Sequence, residues 1–381
     1  MSAADGAPVL VARLDNAGDV LLAGPAIRAV ARTSPVVLAV GPHGRAAAEL
    51  LPCVRDVLEL AAPWILGDPP PVDGAALDRF VADVVRVRPR AAAVLTSSHQ
   101  SPLPLALLLR LAGVPEIAGI SLDYPGSLLD HRIPGDPDVH EVERALAVVA
   151  SLGHEPAPGD DRLAVAVAPG PPTAVAARLP AAPYVVVHPG ASVTARTLGP
   201  DQWAGAVAAL AAAGHRVVVT GSAAERDLTA AVAAGDDPAA GPRPGVTDLG
   251  GAGELAALAT VLAGAAVVAC GNTGPAHLAA AVGTPVAVAF PPTVPLDRWR
   301  PWRVPHVVLG RQDVPCAGCR ARTCPIAGHP CVAAVAPAHV VAAVEHLSGH
   351  AGPAPSPPTG DGIQSLLTAD VGSVTTQEEV R

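Results

Sequence analysis

Lysine is missing altogether: every one of the 25 basic residues among the 381 is arginine. No lysine Schiff base can form, no P-loop lysine can reach a phosphate, and no kinase-type lysine is present. Aromatic residues make up only 2%, so a core must rest on many small contacts among Ala, Val and Leu. No apolar run spans a bilayer comfortably; the most apolar stretch, residues 255–270, is interrupted by Thr260 and Gly264. The opening residues MSAADGAPVLVARLD carry no positive segment ahead of the apolar one, so no signal peptide is expected. A net charge of −9 with both signs scattered leaves no basic footprint for nucleic acid. A cytoplasmic location is the expectation.

Apolar residues are abundant, at 50%, and a chain of this length fits two domains. Short apolar runs alternate with Ala-rich helical stretches. Strands are expected at 8–14, 36–40, 91–95 and 116–120, with helices at 20–32 (bent by Pro25), 45–51, 104–112 and 140–152. A second series follows, with strands at 184–188, 216–220, 266–270 and 285–290. Its helices are expected at 201–213, 224–234, 254–264, 275–282 and 337–347. Such alternation implies an α/β fold of parallel sheets with helices on both faces. A Pro/Gly/Asp-rich stretch separates the series. The predicted organisation is therefore a domain over 1–160, a linker over 161–182, a domain over 183–347 and a disordered tail over 348–381. Two doubly wound domains place a cleft between the carboxyl ends of their strands, where ligands bind.

Several strand ends carry chemistry. Cys270-Gly271-Asn272-Thr273-Gly274-Pro275-Ala276-His277 follows a strand and opens a helix. Its backbone N–H groups and Thr273 hydroxyl suit an anion, although an ordinary Gly/Pro-capped junction would read the same way. His188-Pro189-Gly190-Ala191-Ser192 follows another strand, with Arg196 shortly after. A guanidinium suits phosphate because its planar fork donates two bonds at once. At a third strand end, Thr220-Gly221-Ser222 precedes Glu225, which either bonds a ribose hydroxyl or complements a helix dipole. In the first half, Asp15-Asn16-Ala17-Gly18-Asp19-Val20 follows the opening strand, and Asp19 reads as a general base facing the cleft or as a helix N-terminal carboxylate. His99, in Ser97-Ser98-His99-Gln100, is a weaker candidate for acceptor contact.

The set RLDNAGDVLLAGPAIRAV, HPGASVTAR and GNTGPAHLAAAVGTPVAV, in this order, resembles the heptosyltransferases of glycosyltransferase family 9, from about Val9 to Leu347. The resemblance implies a GT-B fold and inverting transfer of a sugar, typically heptose from an ADP-sugar, to an acceptor hydroxyl of a glycan or glycolipid. It implies Asp19 as base and a donor site at Gly190, Ala191, Ser192, Arg196, Asn272, Thr273, Gly274 and His277; Glu225 is added to the donor-site candidates from its own strand-end position. Where the family often has Lys and then Arg-Trp-Pro, this chain has Arg196-Thr197-Leu198-Gly199; Asn272 stands where Asp is common.

No cofactor is expected beyond the nucleotide-sugar donor, and no catalytic metal. Asp136-Pro137-Asp138 reads as a solvated turn. Cys316, Cys319, Cys324 and Cys331, with His329 between, have spacing suited to zinc or an iron–sulfur cluster, and a set of metal-free loop thiols is the competing reading. Rival functions are a GT-B-like sugar-nucleotide epimerase, a non-catalytic nucleotide-sugar binder, and a nicotinamide oxidoreductase. The last lacks a strand-linked G-x-G-x-x-G.

Overall fold

The computed structural model describes residues 6–67, 69–135, 138–235 and 241–349. The first half runs β1 (Val9–Arg13), α1 (Ala17–Leu22), α2 (Gly24–Ala31), β2 (Val36–Val40), α3 (Arg45–Ala48), β3 (Val54–Glu59), α4 (Gly74–Val87), β4 (Ala91–Val94), α5 (Leu103–Leu111), β5 (Ile117–Ile120), β6 (His131–Ile133) and α6 (Glu141–Ala150). After α7 (Thr173–Ala176) the second half runs β7 (Val185–His188), α8 (Pro200–Ala212), β8 (Val217–Val219), α9 (Arg226–Ala234), β9 (Val246–Asp248), α10 (Leu255–Ala263), β10 (Val267–Gly271), α11 (Gly274–Ala281), β11 (Val286–Ala289), α12 (Leu296–Trp299), β12 (His306–Leu309) and α13 (Pro337–Ser348).

The strands form two six-stranded sheets in the orders β3-β2-β1-β4-β5-β6 and β12-β11-β10-β7-β8-β9. In chain order within each half, both read 3-2-1-4-5-6, and the pairing is parallel throughout, as in Val9↔Val36 and Val9↔Ala91. The central strands β1, β2, β4, β7 and β10 are buried along their whole length. Helices cover both faces, so these strands read as near-continuous Val/Ala/Leu runs rather than alternating ones. In each sheet the order reverses between the first and fourth strands, and a crevice opens at the carboxyl ends there. The two crevices are the ones carrying the motifs.

The structure adds two strands to each expected sheet (β3 and β6, β9 and β12) and the helices α4 and α12; other differences are local. The helix expected over 20–32 is two helices meeting at Ala23, because Pro25 lies in the first turn of α2 and starts a helix rather than bending one. Residues 161–182 include α7 and bury Leu163 and Val175. The tail expected from 348 begins with the last residue of α13, and from residue 350 it lies outside the described residues. So do Asp136 and Pro137 of the expected turn.

The halves touch along α1 and α11. A Cβ placed on Gly18 would stand 3.2 Å from Gly274 Cα and 3.0 Å from His277 Cδ2, so glycine lets the two helix starts close on one another. Behind them, the Trp302 indole donates to the Asp161 carbonyl (2.7 Å) and stacks on His140 at 4.3 Å between centroids.

Candidate functional site

The first-half wall of the crevice is organised by Arg13, the last residue of β1. It is 2% exposed and meets three carboxylates: Asp15 Oδ2 at 2.8 Å from Nε, Asp19 Oδ1 at 2.9 Å from Nη2, and Glu141 Oε2 at 3.2 Å from Nη1. Nη2 also donates to Ser97 Oγ, beyond β4, at 2.8 Å. Glu141 opens α6, and its other oxygen lies 3.2 Å from Arg144 Nε. Burial opposes the charge on Arg13, but Asp15, Asp19 and Glu141 together hold its pKa above the ordinary arginine value. Neither Arg13 nor Glu141 was singled out from sequence. An arginine within a strand buried on both faces was the available signal, since such a charge needs a carboxylate partner.

Asp19 is the third residue of α1, with its side chain one-fifth exposed to the crevice. Asp15 sits deeper and accepts a hydrogen bond from Gln100 Nε2. Burial pushes the Asp15 carboxyl up to about 6, against the pull of Arg13, and burial likewise raises Glu141. Folded Asp15 thus keeps its proton to higher pH than it does in the unfolded chain. That favours the native state at acid pH, an advantage lost as pH rises from about 4 through about 6. The stability difference between wild type and Asp15→Asn should accordingly fall across this window, by up to about 3 kcal/mol, when urea-denaturation midpoints are compared at pH 4, 5, 6 and 7. A difference that stays flat would remove Asp15 as the titrating group.

The second-half wall comes from β7 and β10. After His188-Pro189-Gly190 the chain makes a 3-10 turn over Thr194–Arg196. The Arg196 carbonyl accepts from Asn272 N at 2.9 Å, and a Cβ on Gly271 would lie 2.6 Å from that same oxygen. The absent side chain at Gly271 is what joins the two loops. Trp203 Nε1 donates to Thr197 Oγ1 (3.0 Å), which donates to the Pro189 carbonyl (3.2 Å). Arg196 is largely buried, its Nε has no hydrogen-bond partner, and burial lowers its pKa while Asp19 raises it. No carboxylate among the described residues lies within 4 Å of it. An arginine so placed can bind an anion.

Thr273 stands at the N-cap of α11, but its hydroxyl points to the Gly271 carbonyl (3.5 Å) and does not cap the helix. His277, the fourth residue of α11, is buried with Nδ1 unpartnered. Burial pushes its pKa down to about 4, with Asp19 opposing and Arg196 reinforcing the shift, so the ring is neutral at pH 7. Gly274 lies against Gly18, Asn272 is buried, Ala191 is half-buried and Ser192 is exposed. Glu225 ends a 3-10 turn ahead of α9. Its Oε2 accepts from Ser222 N and Oγ at 2.7 and 2.8 Å, and Oε1 lies over Gly190. Asp19 thus lies on one wall and Arg196, Asn272, Gly274 and His277 on the other, with Gly190 and Glu225 packed together beside them. His99 lies beyond β4 on the Asp19 side, its pKa lowered by burial and then by Arg320.

Cys316, Cys319, Cys324, Cys331 and His329 line one small cavity beside Ala195. Among the described residues, no three His, Cys, Asp or Glu side chains are placed together to hold a metal ion. No helix among them is long and apolar enough to cross a membrane.

The model of glycosyltransferase family 9 (heptosyltransferase) matches residues 96–329. The chain is similar to lipopolysaccharide heptosyltransferase 1 of Pseudomonas aeruginosa, 32% identical over 243 residues, which span 60% of this chain and 62% of that protein. Its fold matches E. coli ADP-heptose LPS heptosyltransferase II at a TM-score of 0.69 and 18% identity, covering 90% of this chain and 99% of the other. It also resembles the iron-containing dodecameric glycosyltransferase TibC of enterotoxigenic E. coli, at a TM-score of 0.52 and 17% identity, over 90% and 76% of the two chains. The GT-B architecture expected from the motifs is the architecture present.

Proposed function

The chain belongs to glycosyltransferase family 9, and from that membership we propose that it is an inverting glycosyltransferase. It moves a sugar, in our reading heptose, from an ADP-sugar to a hydroxyl of a glycan or glycolipid acceptor. One observation carries the reading: Asp19 from one half and Arg196 from the other flank the seam where Gly18 lies against Gly274 and His277, near enough for both charges to act on His277 and on each other. The acceptor oxygen attacks the anomeric carbon and gives its proton to Asp19. The bond from that carbon to the β-phosphate oxygen breaks with inversion, and the nucleoside diphosphate leaves with the electron pair. Arg196 and the start of α11 stabilise that growing charge. Neutral His277, beside both, adds no cation that would compete for Asp19.

TibC, which shares this fold, contains iron. In this chain the four thiols and His329 line one cavity but, among the described residues, are not arranged to hold an ion. We place the enzyme on the cytoplasmic side, meeting a glycolipid acceptor by peripheral contact; co-sedimentation with anionic vesicles checks that contact.

Calorimetry with ADP, UDP and GDP, followed by a nucleoside-diphosphate release assay with ADP-heptose, tests the donor. Binding of none of the three would overturn the reading. Arg196→Ala should weaken ADP binding and also slow turnover, a total loss of roughly 2–4 kcal/mol in kcat/KM. Unchanged steady-state kinetics would take Arg196 out of the site.

A further inference from the structure

The loop between β12 and α13 links the Arg196 turn to Gly67 of the first half and carries two arginines that no motif claims, Arg320 and Arg322. It is fastened directly to the Arg196 turn. Ala195 N and Thr194 Oγ1 both donate to the Arg322 carbonyl, at 3.1 and 3.2 Å. Arg320 N donates to the Thr293 carbonyl at 3.0 Å, beyond β11. The Arg322 guanidinium reaches across the crevice to Gly67 in the first half, filling the space a side chain there would need. Arg320 adopts φ = +53°, a left-handed conformation that a non-glycine residue holds only where its surroundings impose it.

Among the described residues neither Arg320 nor Arg322 has a carboxylate within 4 Å, and Arg196 has none either. Arg322 acts on Arg196, and Arg320 on His99, as neighbouring positive charges. Water screens the repulsion between these exposed side chains, but together with Arg196 they make this side of the crevice positive, which favours an anion there. Asp19 on the opposite wall acts on Arg196 from beyond ion-pair distance and is itself paired to Arg13.

We propose that Arg322 and Arg320 form the second wall of the diphosphate site, closing over the leaving phosphate that Arg196 holds from the other side. The proposal rests on the transferase reading above and deepens it. As the anomeric C–O bond breaks, the electron pair stays on the β-phosphate oxygen, and three guanidinium groups rather than one meet that charge. Because Arg322 also rests on Gly67, the filled site ties the two halves together.

The test compares ADP with AMP by calorimetry in wild type, Arg322→Ala and Arg320→Ala. Both side chains are exposed, so the variants retain the fold, which melting curves check. Wild type should prefer ADP over AMP, and each variant should lose about tenfold of that preference, with AMP affinity unchanged. Arg322→Lys should restore part of it. ADP preference fully retained in both variants would overturn the proposal while leaving the transferase reading intact. Retained ADP preference with a raised acceptor KM would also overturn it, moving these arginines to an acceptor anion. A wild type that does not distinguish ADP from AMP would overturn this site and the ADP-donor reading together.

Discussion

Asp19→Asn should nearly abolish sugar transfer while ADP affinity stays within a few-fold of wild type. The carboxylate is the candidate base, and a positioned base is worth typically about 10²–10⁴-fold in rate. Asparagine keeps the shape and an oxygen that can still accept from Arg13 Nη2, so packing around α1 should be preserved. It removes the negative charge and the ability to take a proton. In a displacement with an oxocarbenium-like transition state, the acceptor hydroxyl becomes acidic only as the new bond forms, and a weak base can take the proton late. The anion contacts come from the other wall, through Arg196 and the start of α11, which is why nucleotide binding should survive. Single-turnover transfer and calorimetry on the same preparation separate the outcomes. Retained turnover would exclude Asp19 as base; lost ADP binding with the fold intact would make it a donor-site residue.

The parts of the molecule that sequence reveals are those where one residue type must repeat. Strands β1, β2, β7 and β10 are buried on both faces and therefore read as near-continuous Val/Ala/Leu runs. The glycines and Pro275 that open α11 mark a turn and a helix start. The edge strands β6 and β9 have three residues each and only partial burial, too little for a pattern. Helix α4 escaped for a similar reason: Phe80 and Val84 are its only fully buried side chains, and the cap from Asp73 to Ala75 N at 2.9 Å was its clearest sign. Asp19 and Arg196 were singled out because each sits in a compact motif at a strand end. The cluster that orients Asp19 was not. Arg13 meets Glu141 across 128 residues of sequence, and Glu141 alone reads as an acidic residue in the first turn of a helix. Arg320 and Arg322 were hidden among cysteines that drew attention to a metal instead.

Replacing Arg13 by Ala should destabilise the first half more than any surface change and should also slow transfer. The variant leaves Asp15, Asp19 and Glu141 facing one another without their shared cation, in a place where Asp15 and Glu141 are almost wholly buried. Removing one partner of such a buried cluster costs about 3–5 kcal/mol. Part of that cost is avoided if a carboxyl takes up a proton. Burial already holds Asp15 at about 6, and losing the opposing pull of Arg13 raises it further. A carboxyl whose folded pKa lies above its unfolded one favours the native state below the unfolded value, and that advantage disappears as pH rises through the folded value. The variant should therefore come closest to wild type near pH 4–5 and fall furthest behind it above pH 7. Urea-denaturation midpoints at pH 5 and pH 8 read this directly, and a deficit equal at both pH values would show that the loss is one of packing alone. Transfer supplies the second readout. Without Arg13 Nη2 the Asp19 carboxylate is no longer held toward the crevice, so kcat should fall with little change in the KM for donor. Arg13→Lys restores one positive charge but no planar fork to span three carboxylates; it should recover stability more fully than turnover.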